Sequence, residues 1–386
     1  MTDTTTLHPT KSSHHRFHFL DALRGIVSIV VVFLHAPAFI SFRPVQNAQL
    51  AVDFFFCLSG FVIAFSYEKR LQDALSLKNF MVARAIRLYP VYLLGIVSGT
   101  IAFFAFDFHL RLTHIVMARL AALLSLQILM LPPLQLWYNY SLFPLDFPAW
   151  SMFFEILANL AYAWMVRRRL AGTGYLLTII LISLAVLGYW LRRGGTIDVG
   201  QIRFAVSLLA VFRVAFSFLA GVLIFRLFRS QGTPHWPALQ SAAIAIIIAS
   251  TMIFFLLGPY VAMRARLSTL ITVAILFPCL VYVGARCRLS PFWHAPCAFL
   301  GDLSYPLYLL HVPLMSLMSL PWIFKATQEH PSTQLVFIPA VLLISSAAAV
   351  LATKYYDVPV RKFLTSRYNE YLLMQPVPIQ TGANNA

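Results

Sequence analysis

Charge is what this sequence has least of. Only 11% of its 386 residues are Asp, Glu, Lys or Arg, and the acidic ones number 13, where soluble domains carry roughly 25% charged residues. So little charge cannot clothe a water-soluble globule of this length, and no stretch has room for a separate polar domain. Cysteine is scarce too. Cys57, Cys279, Cys287 and Cys297 contain no closely spaced pair, so neither a zinc site nor a disulfide framework is expected. Three of them fall in or beside apolar stretches, where a free thiol behaves as a small hydrophobe. No internal repeat of the kind found in many transporters is visible. The first apolar segment carries Asp21 and Arg24 and has no small-residue cleavage site after it, so it is expected to remain in the mature chain.

Apolar length is what the sequence has in abundance. Hydrophobic residues make up 60% of the chain and the mean hydropathy is +0.77. Apolar runs lie near residues 19–39, 50–66, 88–106, 116–131, 149–166, 174–191, 204–225, 238–257, 266–283, 297–320 and 334–355, most of them close to the ~20 residues that cross a hydrocarbon core about 30 Å thick. An all-α, polytopic helical membrane protein is the expected fold. The formal net charge of +16 would suit nucleic acid, but the cations gather in short loops between apolar runs, as cytosolic loops do. Membrane lipid, and no nucleic acid, is the expected surrounding.

The loop charges also orient the chain. Lys69, Arg70, Lys78, Arg84 and Arg87 follow the second run, Arg167, Arg168 and Arg169 the fifth, and Arg361, Lys362 and Arg367 the last, which places these loops in the cytosol. The stretch 132–148 has no Lys or Arg and is rich in aromatics, which places it outside. Both assignments hold only if 116–131, short and ended by Pro132 and Pro133, is re-entrant or interfacial. About ten transmembrane helices then remain, with both termini cytosolic. The organisation expected is a cytosolic N-terminal tail over 1–18, a transmembrane domain over 19–360 and a cytosolic C-terminal tail over 361–386. His8, His14, His15 and His18 belong to the first tail and are read as solvated; no metal site is expected.

Ionisable groups at membrane depth are costly and mark sites by default. With a rise of about 1.5 Å per residue, Arg24 lies near the cytosolic end of the first span, and His35 about 16 Å further out on the same helix face. Counted in the same way, Asp53, Glu155 and His311 fall in the outer half of the core, close to the depth of His35. Each has a plainer reading: His35 and His311 as hydrogen-bonded packing histidines, Asp53 as an N-cap. At the inner mouth, Arg84 and Arg87 stand three residues apart on one face, an arrangement suited to bidentate phosphate binding or to lipid headgroups. Trp137, Tyr138, Tyr140 and Trp150 offer flat apolar faces for a sugar, or an interfacial belt.

The segments FLDALRGIVSIVVVFLH, AVDFFFCLSGFVIAF, RAIRLYPVYLL, PAWSMFFEIL and LGDLSYPLYLLHVPL resemble, in order and spacing, those of the membrane acyltransferase 3 family, which includes O-acetylases of bacterial glycans. The resemblance spans nearly the whole chain and implies an acyl-coenzyme A donor, acetyl first among the acyl groups, and a bacterial inner membrane. It implies that Arg24, Arg84 and Arg87 bind the coenzyme and that His35, the essential histidine of the family, is catalytic. His35 would act as general base towards a hydroxyl of a carbohydrate or other extracytoplasmic acceptor, or form an acyl-histidine. Asp53 or Glu155 would orient its ring, and Trp150 and His311 would meet the acceptor. The departure is WSMFFE, where Phe153 replaces a serine found in many members. The competing reading is a proton-coupled transporter or flippase of an amphiphile, with His35, Asp53, Glu155 and His311 as its relay.

Overall fold

The computed structural model describes residues 16–35, 48–106, 114–133, 141–195, 204–232, 264–318 and 331–374, with positions 243, 244, 246, 247 and 250. The described residues form helices and no strand, as a bilayer demands: without water, every backbone polar group must be satisfied inside its own helix. The helices are α1 His18–His35, α2 Ala51–Asp73, α3 Leu77–Phe106, α4 His114–Ile128, α5 Ala149–Arg167, α6 Thr173–Arg192 and α7 Phe204–Ser230. Then α8 Arg264–Ile271 runs through a π-helical turn, Thr272–Leu276, into α9 Phe277–Arg286. After α10 His294–Met318, α11 Pro331–Ala352 passes through a second π-helical turn, Thr353–Asp357, into α12 Val358–Leu373.

Among the described residues, eight helices are long and apolar enough to cross a membrane. The 25-residue α10 is long enough as well but less apolar, since it carries Asp302, Tyr305, Tyr308 and His311; it lies against α1 along its length. The expected run 238–257 falls mostly outside the described residues. The protein is an integral membrane protein.

Side-chain partners fix the helix directions. In α2 and α7, Asp53 meets Arg213 and Glu68 meets Arg226, so these two run parallel. In α1 and α10, Arg24 meets the Gly301 carbonyl and His35 meets His311, again parallel and in near register. By contrast α3 and α5 are antiparallel: Arg84 pairs with Glu155 at one end, while Gly95 abuts Asp146 at the other. The chain therefore leaves α3 and enters α5 on the same side. The intervening α4, 15 residues or about 22 Å long, is too short to cross, and its last carbonyls, on Gln127 and Ile128, accept from Tyr92 and Tyr89 inside α3. This geometry is consistent with a re-entrant or interfacial α4.

At the start of the described residues Arg16 bridges Asp21 and Asp302 at 2.7 and 2.8 Å, with Phe17 packed edge-on against Phe61, Phe65 and Phe228. At the other end α12 continues to Leu373 and docks on α3, with the Tyr368 hydroxyl on Asn79 at 3.1 Å.

The centre of the bundle is α2, packed against α1, α5, α7 and α9. Gly60 and Gly221 let α2 and α7 touch backbone to backbone, since a Cβ on either would strike the Phe218 or Cys57 carbonyl. That close crossing brings Asp53 and Arg213 together, both 0% exposed. Arg213 donates to both Asp53 oxygens at 2.7–3.1 Å and to the Gln49 carbonyl at 2.8 Å, and Ser217 adds a bond to Asp53 at 3.1 Å. Arg213→Met would leave this carboxylate buried without its partner and is expected to cost about 3–5 kcal/mol. Combining it with Asp53→Leu should restore most of that stability. Thermal unfolding in detergent checks this, and equal destabilisation by the single and double changes would refute it.

Candidate active site

Arg24 of α1, Arg84 and Arg87 of α3 and Glu155 of α5 open onto one cavity of about 210 Å³. The rest of its wall is mostly apolar, built from Phe55, Phe56, Val62, Ile63, Leu88 and Met152. Three guanidiniums and one carboxylate line the cavity, with Asp21 behind Arg24 offsetting part of the positive charge. Arg84 bonds Glu155 at 3.2 Å, and Ser59 donates to the same oxygen at 2.7 Å. Arg24 is steadied by the Gly301 carbonyl at 2.7 Å and by Asp21 at 3.4 Å. Arg87 makes no hydrogen bond or ion pair among the described residues, and neither the Arg24 nor the Arg84 Nε has a partner. A pocket with this much unspent donor capacity at one end and an apolar wall along its length fits an anionic head on a thin apolar arm.

Beyond the cavity wall sits a histidine pair. His35 Nδ1 lies 2.9 Å from His311 Nε2 and 3.1 Å from the Val31 carbonyl. His311 Nδ1 lies 3.0 Å from the Leu307 carbonyl. A carbonyl only accepts, so in the neutral pair His311 carries its proton on Nδ1 and accepts at Nε2. His35 must then donate from Nδ1, which leaves its Nε2 with a free lone pair. Two backbone carbonyls thus set the tautomer of both rings with no carboxylate involved. Phe147 packs edge-on to His35, with ring centres 5.8 Å apart.

Neither histidine lines the cavity; Tyr308 and Ser151 form its wall on that side. Tyr308 stands one helical turn before His311, its ring centre 6.2 Å from the imidazole. Its hydroxyl is 2.7 Å from Ser151 Oγ and 3.4 Å from the Pro148 carbonyl.

The expected residues thus divide into three groups. Arg24, Arg84 and Arg87 share one pocket, joined by Glu155. His35 and His311 form a contact of their own, so His311 supports the ring rather than standing apart at an acceptor surface. Asp53 is elsewhere, held by Arg213, and does not reach His35. Glu155 was expected beside His35 and instead neutralises Arg84. Equal depth put these groups together on paper; lateral packing separates them. Trp150 is 4% exposed, lies under the Arg213 guanidinium at 5.6 Å and packs against Phe56 and Phe154, so it offers no face to a sugar. Trp137, Tyr138 and Tyr140 lie outside the described residues.

Sequence reasoning missed several polar groups. Arg213 stood in plain view within the run 204–225 and carried the same intramembrane signal as Asp53. Tyr308 and Ser151 gave none, since neutral hydroxyls are common in spans. Asp146, in the loop before α5, is fully buried against Gly95 with both oxygens unpartnered, and burial pushes its carboxyl well above the usual carboxylate range. No group of His, Cys, Asp and Glu among the described residues is arranged to hold a metal.

Residues 17–354 match a family described as acyltransferase domain. A curated relative, described as protein 2 in picA locus of Rhizobium radiobacter, is 36% identical over 190 residues, covering 46% of this chain and 97% of that protein. No solved structure matches. The chain therefore belongs to the membrane acyltransferase 3 family, and is a membrane acyltransferase.

Proposed function

We propose that this acyltransferase takes an acyl group, acetyl first, from cytosolic acyl-coenzyme A and places it on a hydroxyl of a glycan or similar acceptor presented outside a bacterial inner membrane, with both termini in the cytosol. The observation that carries the reading is the pairing of α1 with α10. The same two parallel helices bring Arg24 to the cationic end of an apolar cavity and, about 16 Å further along, bring His35 to His311 at 2.9 Å. That spacing suits coenzyme A, whose phosphates are separated from the thioester by the extended pantetheine arm.

In this scheme Arg87, Arg84 and Arg24 hold the phosphates. The pantetheine arm runs along Phe55, Val62, Ile63 and Leu88 towards Tyr308. His35 Nε2 takes the proton of the acceptor hydroxyl as its oxygen attacks the thioester carbonyl, work for which imidazole is suited. The resulting imidazolium donates from Nδ1 to His311, which spreads the positive charge over two rings in a medium of low dielectric. His311 thus fills the place that a carboxylate takes in hydrolase triads.

Two experiments test this. In nanodiscs, transfer from radiolabelled acetyl-coenzyme A with no ion gradient should fall roughly 100- to 10,000-fold in His35→Ala, the range for loss of a general base. It should fall by a smaller factor, about tenfold, in His311→Ala, which keeps the base and loses its support. Unchanged turnover in His35→Ala would sink the assignment, and native protein that binds no donor would favour a transporter.

Arg87 offers the clean probe of the donor site, because it lines the cavity and makes no hydrogen bond among the described residues. Arg87→Gln should raise KM for acyl-coenzyme A by about tenfold, leave kcat within about twofold, and flatten the salt dependence of KM. Equal loss in kcat with KM unmoved would place Arg87 outside the phosphate site.

A further inference from the structure

Five hydroxyls line the cavity: Ser59, Ser151, Ser304, Tyr305 and Tyr308. Three are committed to strong acceptors. Ser59 donates to the Glu155 carboxylate at 2.7 Å, Ser304 to the Gly301 carbonyl at 2.7 Å, and Tyr305 to the Leu88 carbonyl at 2.5 Å. Ser151 donates to the Pro148 carbonyl at 3.0 Å, so at its 2.7 Å contact with Tyr308 it accepts. Tyr308 is therefore the one hydroxyl of the five whose proton rests on another neutral hydroxyl, with only a long 3.4 Å approach to a carbonyl. Its phenol is buried, 8% exposed, and lies in the wall between the cavity and the histidine pair. Pro148, beside its hydroxyl, follows Phe147, the residue packed on His35.

We infer that Tyr308 is a further catalytic residue, the hydrogen-bond donor to the thioester carbonyl oxygen during transfer; this rests on the acyl-coenzyme A reading above. As the acceptor oxygen bonds to the carbonyl carbon, its proton passes to His35 Nε2 and the carbonyl π electrons move onto oxygen. That oxyanion is a far stronger acceptor than a serine hydroxyl, so the Tyr308 O–H turns from Ser151 to it, a charge-assisted bond made only as charge develops. When the carbon–sulfur bond breaks, the electron pair on oxygen re-forms the carbonyl. The leaving coenzyme sulfur takes the proton from His35 Nε2 and departs as the thiol, which restores the neutral imidazole, and Tyr308 returns to Ser151. Ser151 is a positioning residue: it parks the phenol without holding it tightly.

The test is acetyl-coenzyme A turnover in nanodiscs by Tyr308→Phe and Ser151→Ala, with coenzyme A affinity measured by calorimetry. Tyr308→Phe should lose roughly 100-fold in kcat, the cost of one oxyanion donor, with KM and coenzyme A affinity within about twofold. Ser151→Ala should stay within about threefold of native, because Tyr308 can still donate. Tyr308→Phe with at least half the native kcat overturns the proposal. So does a loss that appears in coenzyme A affinity, or one that Ser151→Ala reproduces in full, since either marks a packing role. If the phenylalanine variant fails to fold, 3-fluorotyrosine at position 308 keeps the ring and sharpens the donor. It should raise kcat at neutral pH, and no change overturns the proposal. Native protein that leaves acetyl-coenzyme A unconsumed with every acceptor sinks the donor reading itself, a result distinct from any of these.

Discussion

A charge in hydrocarbon must bring its partner with it, and the architecture follows from how each charge does so. Asp53 and Arg213 satisfy the rule completely: both are 0% exposed, joined by bidentate bonds and backed by Ser217 and the Gln49 carbonyl. Such a pair adds little net stability over a well-packed apolar one, yet it fixes which faces of α2 and α7 meet, because no other register pairs the two charges. The Gly60 and Gly221 crossing allows the approach, and the ion pair sets its register. Once α2 is fastened to α7, its opposite side is left to form the cavity wall with α3, α5 and α10.

The cavity breaks the same rule, and that is its use. Arg24, Arg84 and Arg87 face a single carboxylate, Glu155. An arginine with unspent donors at the mouth of a membrane cavity is a cost in the empty protein that an anion removes. Ser59 and Arg84 hold Glu155 back on one side of the pocket, and Arg87 makes no hydrogen bond or ion pair among the described residues. The contrast with Arg213 separates a cation paired inside the bundle from cations that line a cavity, although all of them look alike as letters in an apolar run.

Much of the fold was legible in the sequence, because the bilayer reduces it to lengths and signs. Apolar runs near 20 residues gave the spans, loop lysines and arginines gave their directions, and the parallel pairing of α1 with α10 and of α2 with α7 agrees with those directions. The short α4 was legible too, from the Pro132–Pro133 stop and the parity of the flanking loops. What stayed hidden was lateral position. Depth is a one-dimensional coordinate, so His35, Asp53, Glu155 and His311 seemed to converge, whereas packing sends Asp53 to Arg213 and Glu155 to Arg84. The departure at Phe153 resolves on the same grounds. Phe153 packs against Phe143 and Phe154 and not on the cavity, where Ser151 supplies the hydroxyl that faces it. Nor does composition announce the contacts that hold α12, Arg361 on Asp357 at 2.7 Å and Tyr368 on Asn79.

The histidine pair carries a chemical consequence of this separation. In a hydrolase triad a carboxylate stabilises the imidazolium, but a carboxylate beside His35 would need its own counter-ion in hydrocarbon, as Asp53 needs Arg213. A second neutral imidazole has no such need in the resting state. It accepts the His35 Nδ1–H in the neutral pair and would accept it more strongly once His35 is charged, and its own Nδ1–H is already committed to the Leu307 carbonyl, so the accepting tautomer is held in advance. In the proposed scheme a neutral base, a neutral supporter and a neutral phenol donor place no net charge near His35 until reaction creates one. The cationic end of the cavity stays about three helical turns away along α1, where the donor's phosphates rather than its thioester would meet it.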